Sequence, residues 1–435
     1  MKILNLSTYD LQGGAARAAY RLHQGLRSIE LDSWMIVQTQ TSDDPTVISP
    51  QGDAQKNWAK IRPGLSKMPI LKYQQRRRET FSPQWLPDRL VQAVQSIAPD
   101  VINLNWVCDG FMQIETLAKL SNRFHVPMIW TLMDEWSFTG GCHYTGQGLD
   151  VPICVRYQDS CGQCPALNSQ KKHDLSHQIW KRKQKIYTQL QMNIVSPSQW
   201  MTKQARQSSL FKDFAIQTIP YGLDTHCYRP RDPKVLRTIL DLPQDKLLVA
   251  FGAFNATRDP RKGWSLLQQA LAHLKQVGWH DRIHLVVFGA SHGQDIAGFP
   301  AHFLGQVADD RLLALIYGAV NVMVVPSIQE AFGQTASEAI ACGVPVVAFD
   351  NTGVADIVDH KINGYLAQPF DTDDLARGIH WVLTTEEPLG KQAREIAEQR
   401  FGLTKQAYAY KELFESLLDN HHRQGGNPSS ERSTV

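Results

Sequence analysis

Short apolar runs alternate with longer amphipathic stretches along almost the whole chain. Nearly continuous apolar runs are typical of strands covered on both faces, as in a parallel sheet with helices above and below it. Nine such runs predict buried strands at 2–8, 33–39, 101–106, 127–133, 193–198, 247–253, 283–290, 320–327 and 344–350. Because the alternation of strands and helices occurs twice, it predicts an α/β protein with two doubly wound, Rossmann-like domains.

A segment dense in Pro, Gly and Asp, residues 219–233, separates the two halves. The polar C-terminal residues have the composition of a disordered tail. The predicted parts of the chain are an N-terminal domain (1–217) with a cysteine-rich insertion (135–170), a C-terminal domain (218–400), a terminal helix (401–418) and a disordered tail (419–435).

Length, charge and hydropathy narrow the class of protein. A chain of 435 residues exceeds what a single core usually serves, which supports two domains. The formal net charge of +3 is too small to argue for nucleic acid, and no nucleic-acid partner is expected. The N-terminus lacks the pattern of a signal peptide, and no apolar window approaches the about 18 residues of a membrane span. We therefore expect a cytoplasmic protein.

Two strand ends carry candidate binding groups. Gly13 and Gly14 follow the first predicted strand, where backbone N–H groups and a helix dipole suit a phosphate or a sugar hydroxyl. A purely structural turn explains this glycine pair equally well, and the absence of G-x-G-x-x-G disfavours a Rossmann dehydrogenase. The loop after the first strand of the second domain carries Arg258, Arg261 and Lys262. These side chains can neutralise a diphosphate leaving group or form a solvated basic loop.

The segment E-A-F-G-Q-T-A-S-E, Glu330 to Glu338, joins a predicted buried strand to a predicted helix. If the helix begins near Gly333, the backbone N–H groups of Gly333, Gln334 and Thr335 have no helical acceptor and can bind an anion. The Glu338 carboxylate can accept hydrogen bonds from both hydroxyls of a ribose. A glutamate in a first helical turn is also expected from the helix dipole alone.

Taken together, these motifs resemble the retaining family 4 glycosyltransferases, which are group 1 glycosyl transferases of the GT-B fold. The resemblance extends over about residues 1–418, and the block 320–368 is its most specific part. The motifs that carry it, in the order of the family, are G-G (13–14), S-P-S-Q-W (196–200), I-P-Y-G-L-D (219–224), R-K-G (261–263), V-V-P-S-I-Q-E-A-F-G (324–333) and E-A-I-A-C-G-V-P-V-V-A (338–348).

The resemblance implies a GT-B architecture, with the two domains facing a central cleft, and a reaction. A sugar would pass from a nucleotide-diphosphate sugar to an acceptor hydroxyl with retention of configuration, in cell-surface polysaccharide or glycolipid synthesis. The expected partners are the donor and a glycan or lipid-linked acceptor, and no cofactor is required for catalysis. The alternatives are a sugar-nucleotide epimerase of the same two-domain plan and a non-catalytic nucleotide-sugar-binding protein.

The resemblance also implies roles for single residues. Lys262, with an arginine beside it, would hold the diphosphate, Glu330 would meet the hydroxyls of the donor sugar, and Glu338 would meet the ribose. The terminal helix would cross back onto the first domain. Further donor contacts are implied for Phe332 and the amides that follow it, and for Gly289 and Leu304 beside the base.

The chain departs from the family pattern at two positions. Many relatives carry an arginine six residues before the lysine, where this chain has Ala256, so an arginine of the R-D-P-R-K loop is expected to substitute. The strand that often ends in T-x-H-D ends here in T-L-M-D, with Met133 in place of the histidine. Asp134 remains. His143, in G-G-C-H-Y, is our candidate for the cleft histidine, although a single histidine is more often structural.

Four cysteines lie close together in the insertion after Asp134. Cys142, Cys154, Cys161 and Cys164 suggest a structural zinc site in a reducing compartment. Their spacing is not that of paired zinc knuckles, so disulfides or free thiols are the alternatives. In either case the insertion is expected to shape the acceptor side of the cleft.

Two basic runs, residues 72–81 and 181–187, are the densest positive segments of the chain. Both can dock the first domain against anionic lipid that carries the acceptor. Solvated helix faces are an equally good explanation of the same residues. Peripheral membrane contact is therefore among the expected interactions.

Overall fold

The computed structural model describes residues 1–73, 76, 80–146, 152–253, 255–290 and 296–425. Seven strands form the sheet of the first domain: β1 (Lys2–Tyr9), β2 (Asp32–Thr39), β3 (Val47–Ile48), β4 (Val101–Leu104), β5 (Met128–Thr131), β6 (Met192–Ser196) and β7 (Ile216–Thr218). They lie in the order β3-β2-β1-β4-β5-β6-β7, and every recorded pair is parallel.

Helices cover both faces of this sheet. They are α1 (Gly14–Ser28), α2 (Asp53–Ser66), α3 (Leu90–Ile97), α4 (Thr116–Phe124), α5 (Leu175–Tyr187) and α6 (Gln199–Gln207). Alternate residues of β1 show the two faces, because Leu4 and Leu6 enter one buried cluster and Ile3 enters another. A strand buried on both sides needs apolar residues in succession, which explains the continuous runs in the sequence.

The second domain repeats the plan with a smaller sheet. Its strands are β8 (Leu247–Gly252), β9 (Ile283–Phe288), β10 (Ala301–Phe303), β11 (Val322–Val325), β12 (Val346–Phe349) and β13 (Gly364–Ala367). Its helices are α7 (Pro233–Ile239), α8 (Trp264–Gln276), α9 (Asp310–Ala319), α10 (Gln334–Ala341), α11 (Thr372–Thr384) and α12 (Leu389–Phe401). The strands are parallel in the order β10-β9-β8-β11-β12-β13. The prediction of two doubly wound domains is confirmed.

Each of the nine predicted strands overlaps an observed strand, and four further strands were not predicted. Those four are β3, β7, β10 and β13, and each lies at an outer edge of its sheet. They have two to four residues each, and most of their side chains are only partly buried. An edge strand needs no continuous apolar run, so the pattern that identified the central strands is missing there.

The terminal helix, α13 (Leu403–Gly425), packs against the first domain. Its Ala407, Tyr410 and Phe414 are fully buried with residues of α1 and of the first sheet. The predicted helix end at 418 and the disordered tail from 419 are wrong for residues 419–425, which are helical. Leu417 and Leu418 still pack on that core, and no proline or glycine interrupts the chain before Gly425. Residues 426–435 of the predicted tail lie outside the described residues.

Two segments of chain cross between the domains, and they pair with each other. The Leu223 N–H donates to the Phe401 carbonyl at 2.9 Å, and the Leu403 N–H donates to the Leu223 carbonyl at 3.0 Å. The first crossing, after β7, is thereby tied to the second, between α12 and α13. In the described parts of the chain, no helix combines the length and the apolar character needed to cross a membrane.

Candidate active site

A cavity of about 290 Å³ lies in the cleft between the two domains. The linker contributes Tyr221 and the first domain contributes the wall that contains Trp106 and Tyr144. The proposed site residues that line it are Gly14, Asp134, His143, Arg261, Lys262, Glu330, Phe332, Gly333 and Gln334. Those that do not line it are Gly13, Arg258, Gly289, Leu304, Thr335 and Glu338.

Lys262 and Glu330 form an ion pair at the wall of the cavity that belongs to the second domain. Lys262 ends a short 3-10 turn, Pro260–Lys262, whose start is capped by Asp259. The next residue, Gly263, has φ +72°, and a Cβ there would lie 1.8 Å from the Pro326 carbonyl oxygen. The glycine therefore lets the turn approach the end of β11, and this approach brings the lysine to Glu330.

The start of α10 provides backbone donors beside this ion pair. Gly333 precedes the helix with φ +103° and offers no side chain to cap it. The first N–H groups of a helix have no intrahelical acceptor and carry the positive end of its dipole. Gly333 and Gln334 line the cavity, so these groups are positioned to bind an anion in it.

Asp134 and His143 form the facing wall. The Nδ1 atom of His143 lies 2.6 Å from Oδ2 of Asp134, and its Nε2 lies 2.8 Å from Oγ of Ser82. The indole N–H of Trp106 donates to the same Asp134 oxygen at 2.7 Å. Burial alone would raise the pKa of Asp134, but the charge and hydrogen bond of His143 and the other donors hold it below its usual value.

Backbone pairing between two loops places His143 at this wall of the cavity. Residues 80–82 run antiparallel to residues 141–143, with the Ser82 N–H donating to the Gly141 carbonyl at 2.8 Å. A Cβ on Gly141, which has φ +122°, would lie 2.7 Å from the Phe81 ring. The insertion thus brings His143 back to the wall of the cavity on which Met133 lies. Met133 accepts a hydrogen bond on Sδ from the Tyr221 hydroxyl at 3.1 Å.

Of the two arginines in the basic loop, only Arg261 reaches the cavity. Its guanidinium lies 3.7 Å from the centroid of the Tyr144 ring and is paired with Asp259 at 2.5 Å. Arg258 is exposed and does not line the cavity. Ala256, at the position where relatives carry an arginine, is fully buried. The structure therefore favours Arg261 as the substitute.

Glu338 lies in a buried polar network between the domains. Its Oε1 accepts from Nη2 of Arg21 at 2.8 Å, and its Oε2 accepts from the Tyr317 hydroxyl at 2.9 Å. Arg21 also pairs with Asp310 at 3.0 Å. The ribose contact of Glu338 stays a prediction, and a ribose must share this carboxylate with Arg21. Sequence reasoning missed Arg21, because nothing in α1 signals a partner in the other domain.

The two residues proposed to line the base lie near each other, away from this cavity. The Gly289 N–H donates to the Gly305 carbonyl at 2.7 Å, which places Gly289 beside the segment that contains Leu304. Gly289 has φ +81°, and a Cβ there would meet the Ala253 carbonyl oxygen at 1.7 Å. A structural need therefore accounts for this glycine, and base binding stays a prediction.

The four cysteines of the insertion line one small cavity of about 10 Å³. All four are free thiols, and burial, followed by the neighbouring thiols, raises the pKa of Cys142 well above its usual value. Over the described residues, no three His, Cys, Asp or Glu side chains are arranged to hold a metal ion. The thiols converge as the sequence suggested, and zinc binding stays a prediction.

Glu135 and Gln329 form a second polar contact between the domains that sequence reasoning missed. The Gln329 amide donates to Oε1 of Glu135 at 2.9 Å and to the Thr145 hydroxyl at 3.1 Å, and accepts from the Gly146 N–H at 2.6 Å. Burial raises the pKa of Glu135 to about 7. The insertion is thereby attached to the residue that precedes Glu330.

The basic run 181–187 is only in part a solvent-exposed basic face, with Lys181 and Lys185 exposed. Lys183 is fully buried in α5, where Nζ donates to the carbonyls of Trp136 and Thr139. Arg182 forms a bidentate pair with Glu115. In the other run, Lys72 and Arg76 are exposed, and Arg77 and Arg78 lie outside the described residues.

Comparisons with known proteins agree with this fold and cleft. Residues 243–400 match the family model of glycosyl transferases, group 1. The D-inositol 3-phosphate glycosyltransferase of Saccharomonospora viridis is 30% identical over 223 residues, which cover 47% of this chain and 51% of that protein. The chain thus spans about half the length of the curated relatives it matches.

Two solved structures resemble nearly the whole chain. Sucrose-phosphate synthase from Thermosynechococcus elongatus has a TM-score of 0.65 at 21% identity and covers 97% of this chain and 100% of its own. HepE of Anabaena, in complex with UDP and glucose, has a TM-score of 0.62 at 18% identity, with coverages of 96% and 100%. The fold is therefore the GT-B fold, as the sequence indicated. None of these three similar proteins is named as an epimerase, so the comparisons do not favour the epimerase alternative.

Proposed function

Residues 243–400 match the family model of glycosyl transferases, group 1, and we propose that this chain transfers a sugar from a nucleoside diphosphate sugar to an acceptor hydroxyl. One observation carries the proposal. Lys262 and the start of α10, from the second domain, share a single cavity with Asp134 and His143 from the first. A donor held by one domain can therefore meet an acceptor held by the other.

The second domain supplies positive charge where a diphosphate leaving group would form. Lys262, Arg261 and the N–H groups at the start of α10 converge on the cavity. Preorganised donors of this kind stabilise charge that develops in a transition state, and removing one typically lowers the rate by about 10²–10³-fold. Glu330, the partner of Lys262, is placed to accept hydrogen bonds from the hydroxyls of the donor sugar.

The first domain supplies an oriented carboxylate–imidazole pair. Asp134 fixes the ring of His143 through Nδ1, as an acid–base or orienting histidine requires. We infer that this pair orients the reacting sugar or the acceptor hydroxyl. Retention of configuration, with attack on the face that the diphosphate leaves, is the outcome that the resemblance to this family favours.

The acceptor is proposed to be a glycan or a lipid-linked sugar, in the synthesis of a cell-surface polysaccharide or glycolipid. Peripheral membrane contact would bring such an acceptor to the first domain.

A panel of nucleotide sugars, assayed with and without cell extract, tests the proposal. We expect release of a nucleoside diphosphate that depends on extract, and loss of that release when Lys262 is replaced by Met. Binding without release would support the non-catalytic alternative. Conversion of the donor sugar without any diphosphate release would support an epimerase. UDP-sugars enter the panel beside GDP- and ADP-sugars.

A further inference from the structure

Five large apolar side chains are exposed on and beside α2. They are Trp58, Ile61, Met68, Leu71 and Trp85, and each is between 37% and 59% exposed. We call these five residues the α2 patch. Single exposed apolar residues are normal on any protein and need no explanation. Five of them within 28 residues of sequence, including the two most exposed tryptophans of the described chain, form a concentration that does need one.

One side-chain hydrogen bond joins the two segments of the patch. The indole N–H of Trp85 donates to the Ser66 carbonyl, the last residue of α2, at 3.1 Å. Arg62 anchors the helix from below, since its guanidinium donates to the carbonyls of Gly110 and Pro87 at 2.8 Å each. The same guanidinium lies 5.8 Å from the centroid of the Trp58 ring. The helix is therefore fixed to the domain while its apolar side chains face solvent.

Basic side chains surround the patch. Lys56, Lys60, Lys67 and Lys72 are all exposed. Within the described residues, Lys67 is 3.7 Å from Asp109, and no ion pair involves the other three. The acidic residues near the patch are Asp53, Asp88 and Asp109. With the exposed Arg76 and Arg89, basic side chains outnumber acidic ones around the patch.

We propose that the α2 patch docks this protein on an anionic membrane surface. Exposed aromatic and aliphatic side chains flanked by lysines are the composition of helices that lie in the interface of a bilayer. Tryptophan prefers the level of the lipid headgroups, and each lysine near an anionic surface strengthens binding roughly fivefold. A second copy of this chain or another protein would not require this ring of lysines.

The position of the patch connects it to the cleft. Trp85 follows Ser82 by three residues, and Ser82 is the hydrogen-bond partner of His143 at the cavity wall. Three residues span at most about 10 Å, so a docked patch would hold the first-domain side of the cavity close to the membrane. A lipid-linked acceptor is the substrate class that such an orientation serves. This last step rests on the proposed function, whereas the docking itself does not.

Vesicle co-sedimentation of the full chain tests the docking. We expect binding to vesicles of phosphatidylglycerol and phosphatidylcholine, and little binding to phosphatidylcholine alone. Replacing Lys56 and Lys60 with Glu should weaken binding at least about thirtyfold, because two lysines contribute roughly fivefold each and the new charges repel lipid. The double variant Trp58→Ser, Leu71→Ser should weaken the binding that survives high salt.

Matched controls lie away from the patch. Val235 and Ile239 of α7 are 54% and 61% exposed, so their double serine variant removes a similar apolar area elsewhere. Lys391→Glu with Lys405→Glu changes the net charge by the same amount on another surface. Both controls should bind vesicles as the unmodified chain does.

Three outcomes would overturn the proposal. The unmodified chain fails to bind anionic vesicles, the patch variants bind as well as the controls, or light scattering shows a dimer that the Trp58, Leu71 variant alone abolishes. Nucleotide binding, measured on every variant, monitors the folded second domain. If the protein releases diphosphate but does not bind vesicles, the docking proposal fails and the proposed transfer stands. If it binds vesicles but releases no diphosphate, the proposed transfer fails and the docking proposal stands.

Discussion

Arg21 of α1 and Glu338 of α10 form a buried ion pair across the two domains, with Nη2 and Oε1 2.8 Å apart. Their side chains are 7% and 5% exposed. This ion pair joins α1, which follows Gly13 and Gly14, to α10, whose first residues line the proposed donor site. Any donor ribose that reaches Glu338 must therefore share the carboxylate with an arginine of the opposite domain.

Replacing Arg21 with Met should lower the free energy of unfolding by about 3–5 kcal/mol, because it leaves a buried carboxylate without its charge partner. Thermal or denaturant unfolding at pH 7 measures the effect. Arg377→Met is the control, since Arg377 is 63% exposed in its pair with Asp374 and should cost at most about 1 kcal/mol. Adding Glu338→Gln should recover part of the lost stability. Equal stability of the two arginine variants would contradict the role of the buried pair.

The sequence predicted the central strands and most residues of the cavity, but not the contacts between domains. Apolar runs identify strands that helices cover on both faces, and glycine-rich turns after them identify the cleft edge. The sequence also predicted His143 as the histidine of the cleft, because Met133 stands where relatives carry a histidine. Arg21 could not be predicted, because an arginine in an amphipathic helix looks the same whether its partner is water or a carboxylate 317 residues away.

Lys262→Met should abolish most of the transfer activity, because it removes the side chain proposed to stabilise the leaving diphosphate. We expect kcat to fall by about 10²–10³-fold, with weaker binding of the nucleoside diphosphate. Steady-state kinetics with the active donor, and calorimetry with the diphosphate, measure these effects. Arg258→Met is the control in the same loop, since Arg258 is exposed and lies outside the cavity. Equal losses in both variants would mean that the loop acts through its overall charge.

Gly263→Ala should disrupt the loop that carries Lys262. A Cβ at this position would lie 1.8 Å from the Pro326 carbonyl oxygen, and the backbone also has φ +72°. The loop must move, so both stability and activity should fall, and diphosphate binding should weaken with them. Gly278→Ala is the control, because Gly278 has φ +83° and no heavy atom within 4 Å of the new Cβ. It should cost only the conformational penalty of about 1–2 kcal/mol.

The affinity for nucleoside diphosphate distinguishes the Gly263→Ala and Gly278→Ala variants most clearly. The Gly278 variant should keep it unchanged, while the Gly263 variant should lose it even at temperatures where the protein stays folded. An alanine at 263 that binds diphosphate normally would show that the close approach to Pro326 is not needed to place Lys262.

Glu135 should make stability depend on pH. Burial raises its pKa from 4.5 to about 7, so the folded protein holds this proton more tightly than the unfolded chain does. Stability is therefore lost as pH rises from about 4.5 through 7. The side chain of the Glu135→Gln variant does not titrate. Between pH 5 and pH 8 the unmodified protein should therefore lose about 2–3 kcal/mol of unfolding free energy relative to the variant.

Glu115→Gln is the matched control for that titration. Burial would raise the pKa of Glu115, but its hydrogen bonds and charge pairing with Arg182 lower it. Its stabilising contribution is present above its unfolded pKa of about 4.5 and is lost only at lower pH. The Glu115 variant should therefore show no trend between pH 5 and pH 8. A flat difference for Glu135→Gln over the same range would contradict the raised pKa.

His143→Ala should lower kcat/KM by at least about a hundredfold if the ring orients or exchanges a proton with a reacting group. The protein should still bind donor, because Lys262 and the start of α10 are untouched. Ser82→Ala keeps the ring and removes only its Nε2 partner, so the loss of activity should be smaller. A His143→Ala protein with undiminished turnover would show that the Asp134–His143 pair holds the insertion in place and takes no part in the transfer.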